Sequence, residues 1–159
     1  YTAAGVGFLV TGVVLIIGEE IGRRRALRTD DMASIGFSQA LLIGCAQAIA
    51  ILPGVSRSGC TISTGRMLGM NRPMALDFSF LMAAPIVAGA VGKTLLDVRT
   101  GDVIFPAMQI SIAGFITSFI VSMFAIILLK MLVVRRSLAI FSWYVIPLGI
   151  ALLLVDRLN

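Results

Sequence analysis

Nine consecutive residues, Pro53-Gly54-Val55-Ser56-Arg57-Ser58-Gly59-Cys60-Thr61, concentrate what an oxyanion site needs. Arg57 offers a planar, permanently charged fork suited to two phosphate oxygens. Ser56, Ser58 and Thr61 add hydroxyls, while Gly54 and Gly59 let the backbone approach a ligand closely. A helix expected over Thr61 to Met70 would add N-terminal amides and the positive end of its dipole. The plain alternative is a polar tip with Arg57 reaching for water. An Arg between two serines, itself between two apolar helical pieces, fits that alternative poorly, because ionisable groups at membrane depth are usually functional.

Other chemistry is thin. The chain has no His, and Cys45 and Cys60 form no CxxC pair, so they read as two small buried thiols. Glu19-Glu20 offers oxygen ligands of the kind Mg²⁺ and Ca²⁺ prefer. It lies beside Arg23, Arg24, Arg25 and Arg28, however, and reads as a solvated charge pair. No metal ligand is assigned. Asp77 and Ser79 begin a span near the polar segment, where they either hydrogen-bond to it or serve simply as polar groups at a helix start, and Lys93 reads as a snorkelling side chain.

The elements that must position this segment are membrane helices. Apolar residues make up 58% of the chain and charged residues 13%, against about 45–50% and about 25% in soluble domains. Long uncharged runs of this kind are accommodated by lipid rather than by a small soluble core. The net charge of +5 does not point to nucleic acid. The basic residues stand at the ends of apolar runs, as topology signals and headgroup contacts do, without interleaved aromatics.

The pattern predicts an all-α, polytopic membrane domain over residues 1–159. Transmembrane helices are expected at about 2–18, 74–96, 103–129 and 138–155, and a re-entrant hairpin at 34–70. The first arm of that hairpin, Ser34 to Leu52, carries Gln39 and Gln47 on roughly one helical face. Pro53-Gly54 breaks it. The second arm spans only about 15 Å at 1.5 Å per residue, half a bilayer core. An irregular tip at that depth must be covered by protein or face a water-filled cavity.

If the hairpin returns to its side of entry, one side collects Arg23, Arg24, Arg25, Arg28, Arg72, Lys130, Arg135 and Arg136. The other collects Lys93, Arg99 and Arg157, so the first is expected to be cytoplasmic. Trp143 and Tyr144 read as interfacial anchors, and the GxxxG spacing of Gly65 and Gly69 reads as helix packing. The chain opens at Tyr1 directly into an apolar run with no leader before it, so an N-terminal portion beyond it is expected.

The run Gly44 to Thr61 reads GxxQxxAxxP followed by PGxSRSGxT. With Gly69-Met70-Asn71-Arg72-Pro73-Met74-Ala75-Leu76-Asp77-Phe78-Ser79-Phe80-Leu81 and Pro85 downstream, it resembles the undecaprenyl-diphosphate phosphatase family, also called bacitracin-resistance protein, in its C-terminal half. The resemblance implies hydrolysis of a lipid-linked pyrophosphate to the monophosphate and inorganic phosphate. It also implies two inverted repeats whose hairpin tips meet near mid-membrane. By carry-over Arg57, Ser56 and Ser58 are the catalytic candidates, and Gly54, Gly59, Thr61 and Gln47 the substrate-binding ones.

The family's other half carries an ExxxE-type motif and a Ser-rich tip followed by a His, and this chain has neither. Gln47 stands where the repeat would place a glutamate. The divalent metal that the resemblance implies, Mg²⁺ or Ca²⁺, would therefore take its ligands from outside this chain. Implied partners are the polyprenyl diphosphate, membrane lipids and the N-terminal half of the same protein, with a homodimer left open and nucleic acid excluded. The competing reading is a transporter or flippase of a lipid phosphate or other anion. A third is a purely structural membrane subunit, for which Arg57 would be dispensable.

Overall fold

A computed structural model of the chain describes residues 2–25, 31–101, 103, 106–135 and 137–158. Tyr1, Arg28, Asp30 and Arg136, which entered the reading of the termini and the charged loops, lie outside the described residues. The described residues form six α-helices: α1 (Thr2–Arg24), α2 (Phe37–Ile49), α3 (Arg57–Met67), α4 (Arg72–Thr100), α5 (Met108–Arg135) and α6 (Ser142–Leu158). Short 3₁₀ turns at Met32–Ser34 and Leu138–Phe141 precede α2 and α6. Four stretches are long and apolar enough to cross a membrane: Thr2–Arg24, Arg72–Thr100, Met108–Val133 and Leu138–Arg157.

The helix bounds differ from the expected spans for physical reasons. α1 continues through Glu19-Glu20 to Arg24, because Arg23 and Arg24 meet the Glu20 carboxylate at 3.0 and 2.8 Å from one turn on. α5 begins at Met108, after Pro106, and runs through Lys130 to Arg135. α3 begins at Arg57 rather than at Thr61, because Ser56 acts as its N-cap. The Ser56 Oγ accepts from the Gly59 amide at 3.1 Å.

Two compact units divide the chain. The first comprises residues 1–79 and 133–159, and the second residues 80–132. The second unit holds the remainder of α4 and most of α5. Its apolar side chains, Phe115, Phe119 and Phe124 among them, are largely exposed, as on a lipid-facing surface. Lys93 in this unit pairs with Asp97 one turn on at 2.9 Å.

In the first unit α1 is the central helix and presents two faces. On one, Gly5 and Gly12 are seven residues apart and admit α6 closely. A Cβ at Gly12 would lie 2.4 Å from Ile146, and one at Gly5 2.8 Å from Leu153. The Ser142 hydroxyl donates to the Gly12 carbonyl at 3.0 Å, and the Thr2 hydroxyl bonds the Asp156 carboxylate at the opposite end, so the two helices are antiparallel. On the other face Gly7, Thr11, Leu15, Gly18 and Gly22, at helical spacing, receive the hairpin α2–α3. Small residues at such contacts let backbones approach, which is how helices associate in lipid. Gly65, read from its GxxxG spacing as packing, meets Met70 and Ala75, while Gly69 makes the turn after α3 at φ +97°.

α3 runs parallel to α1. The tip at Gly54 faces Ala4 and Gly7, Gly59 faces Leu15, Ser63 faces Gly18 and Arg66 faces Gly22. Of the two thiols, Cys60 is buried on α3, but Cys45 is exposed on α2, so the expectation of two buried thiols holds for Cys60 alone. Trp143 and Tyr144 are both exposed at the start of α6.

Candidate functional site

The hairpin tip is built by backbone contact. Gly54 has φ +85°, a conformation that an L side chain resists, and a Cβ there would fall 2.2 Å from the Ala4 carbonyl oxygen. A Cβ at Gly7 would lie 2.1 Å from the Pro53 carbonyl oxygen. Chain direction then reverses through Val55, whose N–H bonds the Leu52 carbonyl at 3.1 Å.

Thr11 secures the reversal. Its Oγ1 accepts from the Ser56 N–H at 2.9 Å, and its own proton goes to the carbonyl of Gly54 (3.2 Å) or of Gly7 (2.9 Å). Sequence reasoning missed Thr11, which looks like one small polar residue in an apolar run.

Beyond Ser56 the chain enters α3, with Arg57 and Ser58 exposed in its first turn. The first intrahelical bond there runs from Cys60 N to Ser56 O at 2.9 Å. The amides of Arg57 and Ser58 therefore precede the helical ladder, at the same helix end that carries Arg57. Gly54, Ser56, Arg57, Ser58 and Gly59 thus come together in one turn of chain. Ser56 and Gly59 serve that turn as cap and capped amide, and a Cβ at Gly59 would press on Ser56 at 3.0 Å.

Thr61 and Gln47 are placed differently. Thr61 is 1% exposed. Its hydroxyl lies 2.6 Å from the Ser79 hydroxyl on α4 and within bonding distance of the Arg57 carbonyl at 3.0 Å. Ser79 therefore bonds the hairpin, the first of the two alternatives its position leaves open. Gln47 sits in the last turn of α2, half-buried, with a buried Oε1 that has no partner among the described residues. Gln39 on the same helix is used structurally. Its Oε1 accepts from the Gly36 amide at 2.9 Å, and its Nε2 lies 3.4 Å from the Leu68 carbonyl.

At the base of the hairpin the two glutamates separate. Glu20 stays at the surface with Arg23 and Arg24, as a solvated charge does. Glu19 does not, which corrects the reading of Glu19-Glu20 as a solvated pair. It is 6% exposed, bonded to Arg72 and 3.9 Å from Arg66, and it accepts from the Leu138 amide at 3.3 Å. Arg66 also donates to the Met70 carbonyl at 2.9 Å. The cluster joins α1, α3, the start of α4 and the turn before α6. With Arg25 donating to the Met67 carbonyl at 2.7 Å, it places basic residues from several connections at one end of α1.

The described residues contain no group of three His, Cys, Asp or Glu side chains that could hold a metal ion. An apolar cavity of about 350 Å³ lies between α1 and α6, lined by Ile16, Trp143, Ile146 and Pro147 among others, and takes no residue from the hairpin.

Known proteins with the same pattern place this chain. The model of the family described as bacitracin resistance protein BacA matches residues 1–151. The undecaprenyl-diphosphatase of Methanothermobacter thermautotrophicus is 40% identical over 152 residues, covering 96% of this chain and 82% of that protein. The undecaprenyl-diphosphatase of Acinetobacter baumannii is 37% identical over 152 residues, 92% of this chain and 55% of that protein. That of Bacillus subtilis is 37% identical over 150 residues, 92% of this chain and 53% of that protein. The chain thus spans about half the length of the Acinetobacter and Bacillus relatives. It belongs to the bacitracin resistance protein family, and with its four long apolar helices it is an all-helical, multi-pass membrane protein.

Proposed function

We propose that this member of the bacitracin resistance protein family carries the phosphate clamp of an integral-membrane phosphatase. The enzyme would hydrolyse undecaprenyl (polyprenyl) diphosphate to the monophosphate and inorganic phosphate, recycling the cell-wall lipid carrier in the bacterial plasma membrane. The observation that carries this reading is Arg57, exposed in the first turn of α3 on a tip whose backbone is pinned to α1. The names of the relatives, which cover most of this chain, support the same substrate.

The depth of the tip is consistent with that substrate. From Glu19 to Thr11 and Gly7, α1 rises about 12 and about 18 Å at 1.5 Å per residue, within a hydrocarbon core of about 30 Å. With Glu19 and its arginines at the cytoplasmic boundary, the tip reaches the middle of the bilayer. That is where irregular backbone requires a polar, protein-lined setting.

In the reaction the Arg57 guanidinium takes two oxygens of the terminal phosphate, and the Ser58 hydroxyl and first-turn amides of α3 donate to the third. All become more valuable as charge spreads over those oxygens in the transition state. Overall, water adds across the bond between the bridging oxygen and the terminal phosphorus: its oxygen ends on that phosphorus as inorganic phosphate, the bridging oxygen leaves with the monophosphate, and the water's protons pass to the two phosphate products and solvent. Ser56 holds the turn as its cap, and Thr61 steadies the helix through Ser79. Gln47 Oε1, which has no partner among the described residues, is the acceptor for a substrate or partner donor.

The group that activates the nucleophile is placed in the portion of the longer relatives that this chain does not match. This chain has no His, and Glu19 is engaged by two arginines. The described residues hold no group of three His, Cys, Asp or Glu side chains for a divalent ion, and the ligands of Mg²⁺ or Ca²⁺ are assigned to that same portion. It is also the principal partner, alongside the lipid itself.

The test is phosphate release from undecaprenyl diphosphate by the full-length protein, run beside an assay of lipid movement across vesicle membranes. Release without lipid movement supports the phosphatase. Lipid movement with no release would transfer the hairpin to a flippase.

A further inference from the structure

Thr11 is 2% exposed in a helix whose composition gives no reason for a hydroxyl there. The hydroxyl holds the tip on both sides of Val55: it accepts from the Ser56 N–H at 2.9 Å and reaches the Gly54 carbonyl at 3.2 Å. Ser56 is both the N-cap of α3 and the residue immediately before Arg57. The plane of its peptide therefore sets the direction in which the first turn of α3, and with it the Arg57 side chain, leaves the reversal.

We propose that Thr11 is a positioning residue. Through the Ser56 amide it fixes the orientation in which Arg57 and the first-turn amides meet a diphosphate. This inference rests on the reading of Arg57 as the phosphate clamp. Packing alone does not need the hydroxyl, since the close approach of Gly7 to Pro53 already seats the hairpin on α1. Valine has nearly the shape of threonine, so Thr11→Val preserves that packing while removing both the acceptor for Ser56 and the donor to the Gly54 or Gly7 carbonyl. Thr11→Ser keeps the acceptor and removes a methyl group.

The experiment uses the full-length protein in detergent, comparing wild type, Thr11→Val and Thr11→Ser. Hydrogen exchange is read in peptides spanning residues 52–60, together with kcat and KM for phosphate release from undecaprenyl diphosphate. Thr11→Val is expected to speed exchange at the tip and lower kcat by about 10- to 100-fold, the scale of a small misalignment at a reacting centre, with a smaller rise in KM. Thr11→Ser is expected to restore both towards wild type.

Exchange at the tip unchanged in Thr11→Val, or faster exchange with kcat intact, overturns the inference. Should Thr11→Val fail to fold, Thr11→Ala against Thr11→Ser repeats the comparison without the valine methyl. A wild type that releases no phosphate removes the phosphatase reading. The exchange comparison then still decides whether Thr11 holds the tip.

Discussion

Glu19 on α1 faces Arg66 on α3 at 3.9 Å, with both side chains less than a tenth exposed. Arg72 approaches the same carboxylate from the start of α4. One buried anion thus sits between two cations contributed by segments 47 and 53 residues further along the chain. Removing it leaves the buried Arg66 guanidinium and the part-buried Arg72 guanidinium without their counter-charge. Glu19→Ala should therefore cost about 3–5 kcal/mol of stability, the usual result of breaking a buried pair from one side. The neighbouring Glu20→Ala removes only a surface carboxylate and should melt like wild type. Thermal melting of the two variants in detergent checks this order, and equal transitions would mean that Glu19 is solvated after all.

The tip lies against α1 with no room for a side chain at Gly7. Gly7→Ala should force the Pro53 carbonyl away and cost about 1–3 kcal/mol as overpacking does, despite the better helix propensity of alanine. Melting of Gly7→Ala against wild type reads this, and a stabilised variant would show that the hairpin and α1 are not in backbone contact.

The family resemblance makes Thr61 a substrate contact, yet its hydroxyl is shared with Ser79 inside the protein. If it acts through that bond, Thr61→Val and Ser79→Ala should each lower phosphate release modestly. The double variant should then be little worse than either single, with a coupling of about 0.5–1.5 kcal/mol, the net value of one buried hydrogen bond. A Thr61→Val variant that is inactive beside a fully active Ser79→Ala would return Thr61 to the substrate.

Much of this arrangement is legible in the residues themselves. The apolar runs mark the spans, Pro53-Gly54 marks the reversal, and Ser-Arg-Ser marks the tip, because each depends on local chemistry. The start of α3 was not legible: the sequence points to Thr61, and the helix begins at Arg57. Ser56 is a favoured N-cap residue, but the cluster Ser56-Arg57-Ser58-Gly59 looks like loop, and its capping bond to Gly59 is visible only in three dimensions. Glu19 was opaque for a different reason. Four nearby arginines suggest a solvated patch, whereas the partners that bury it come from distant segments. Thr11 was harder still, since a threonine bonding back to the carbonyl four residues before it passes for an ordinary helical residue. What decides its role is the Ser56 amide, 45 residues away in sequence.

The central claim is that Arg57 clamps the terminal phosphate. It is tested most directly by single-turnover phosphate release from undecaprenyl diphosphate with the full-length protein, comparing wild type, Arg57→Lys and Arg57→Ala after each has been shown to melt as a folded species. Arg57→Ala should lose about 10²- to 10³-fold in rate, as enzymes do when a preorganised donor to the reacting group is deleted. Arg57→Lys should recover only part of it, because an ammonium replaces the bidentate fork with a point charge. A folded Arg57→Ala variant that releases phosphate at the wild-type rate would contradict the claim.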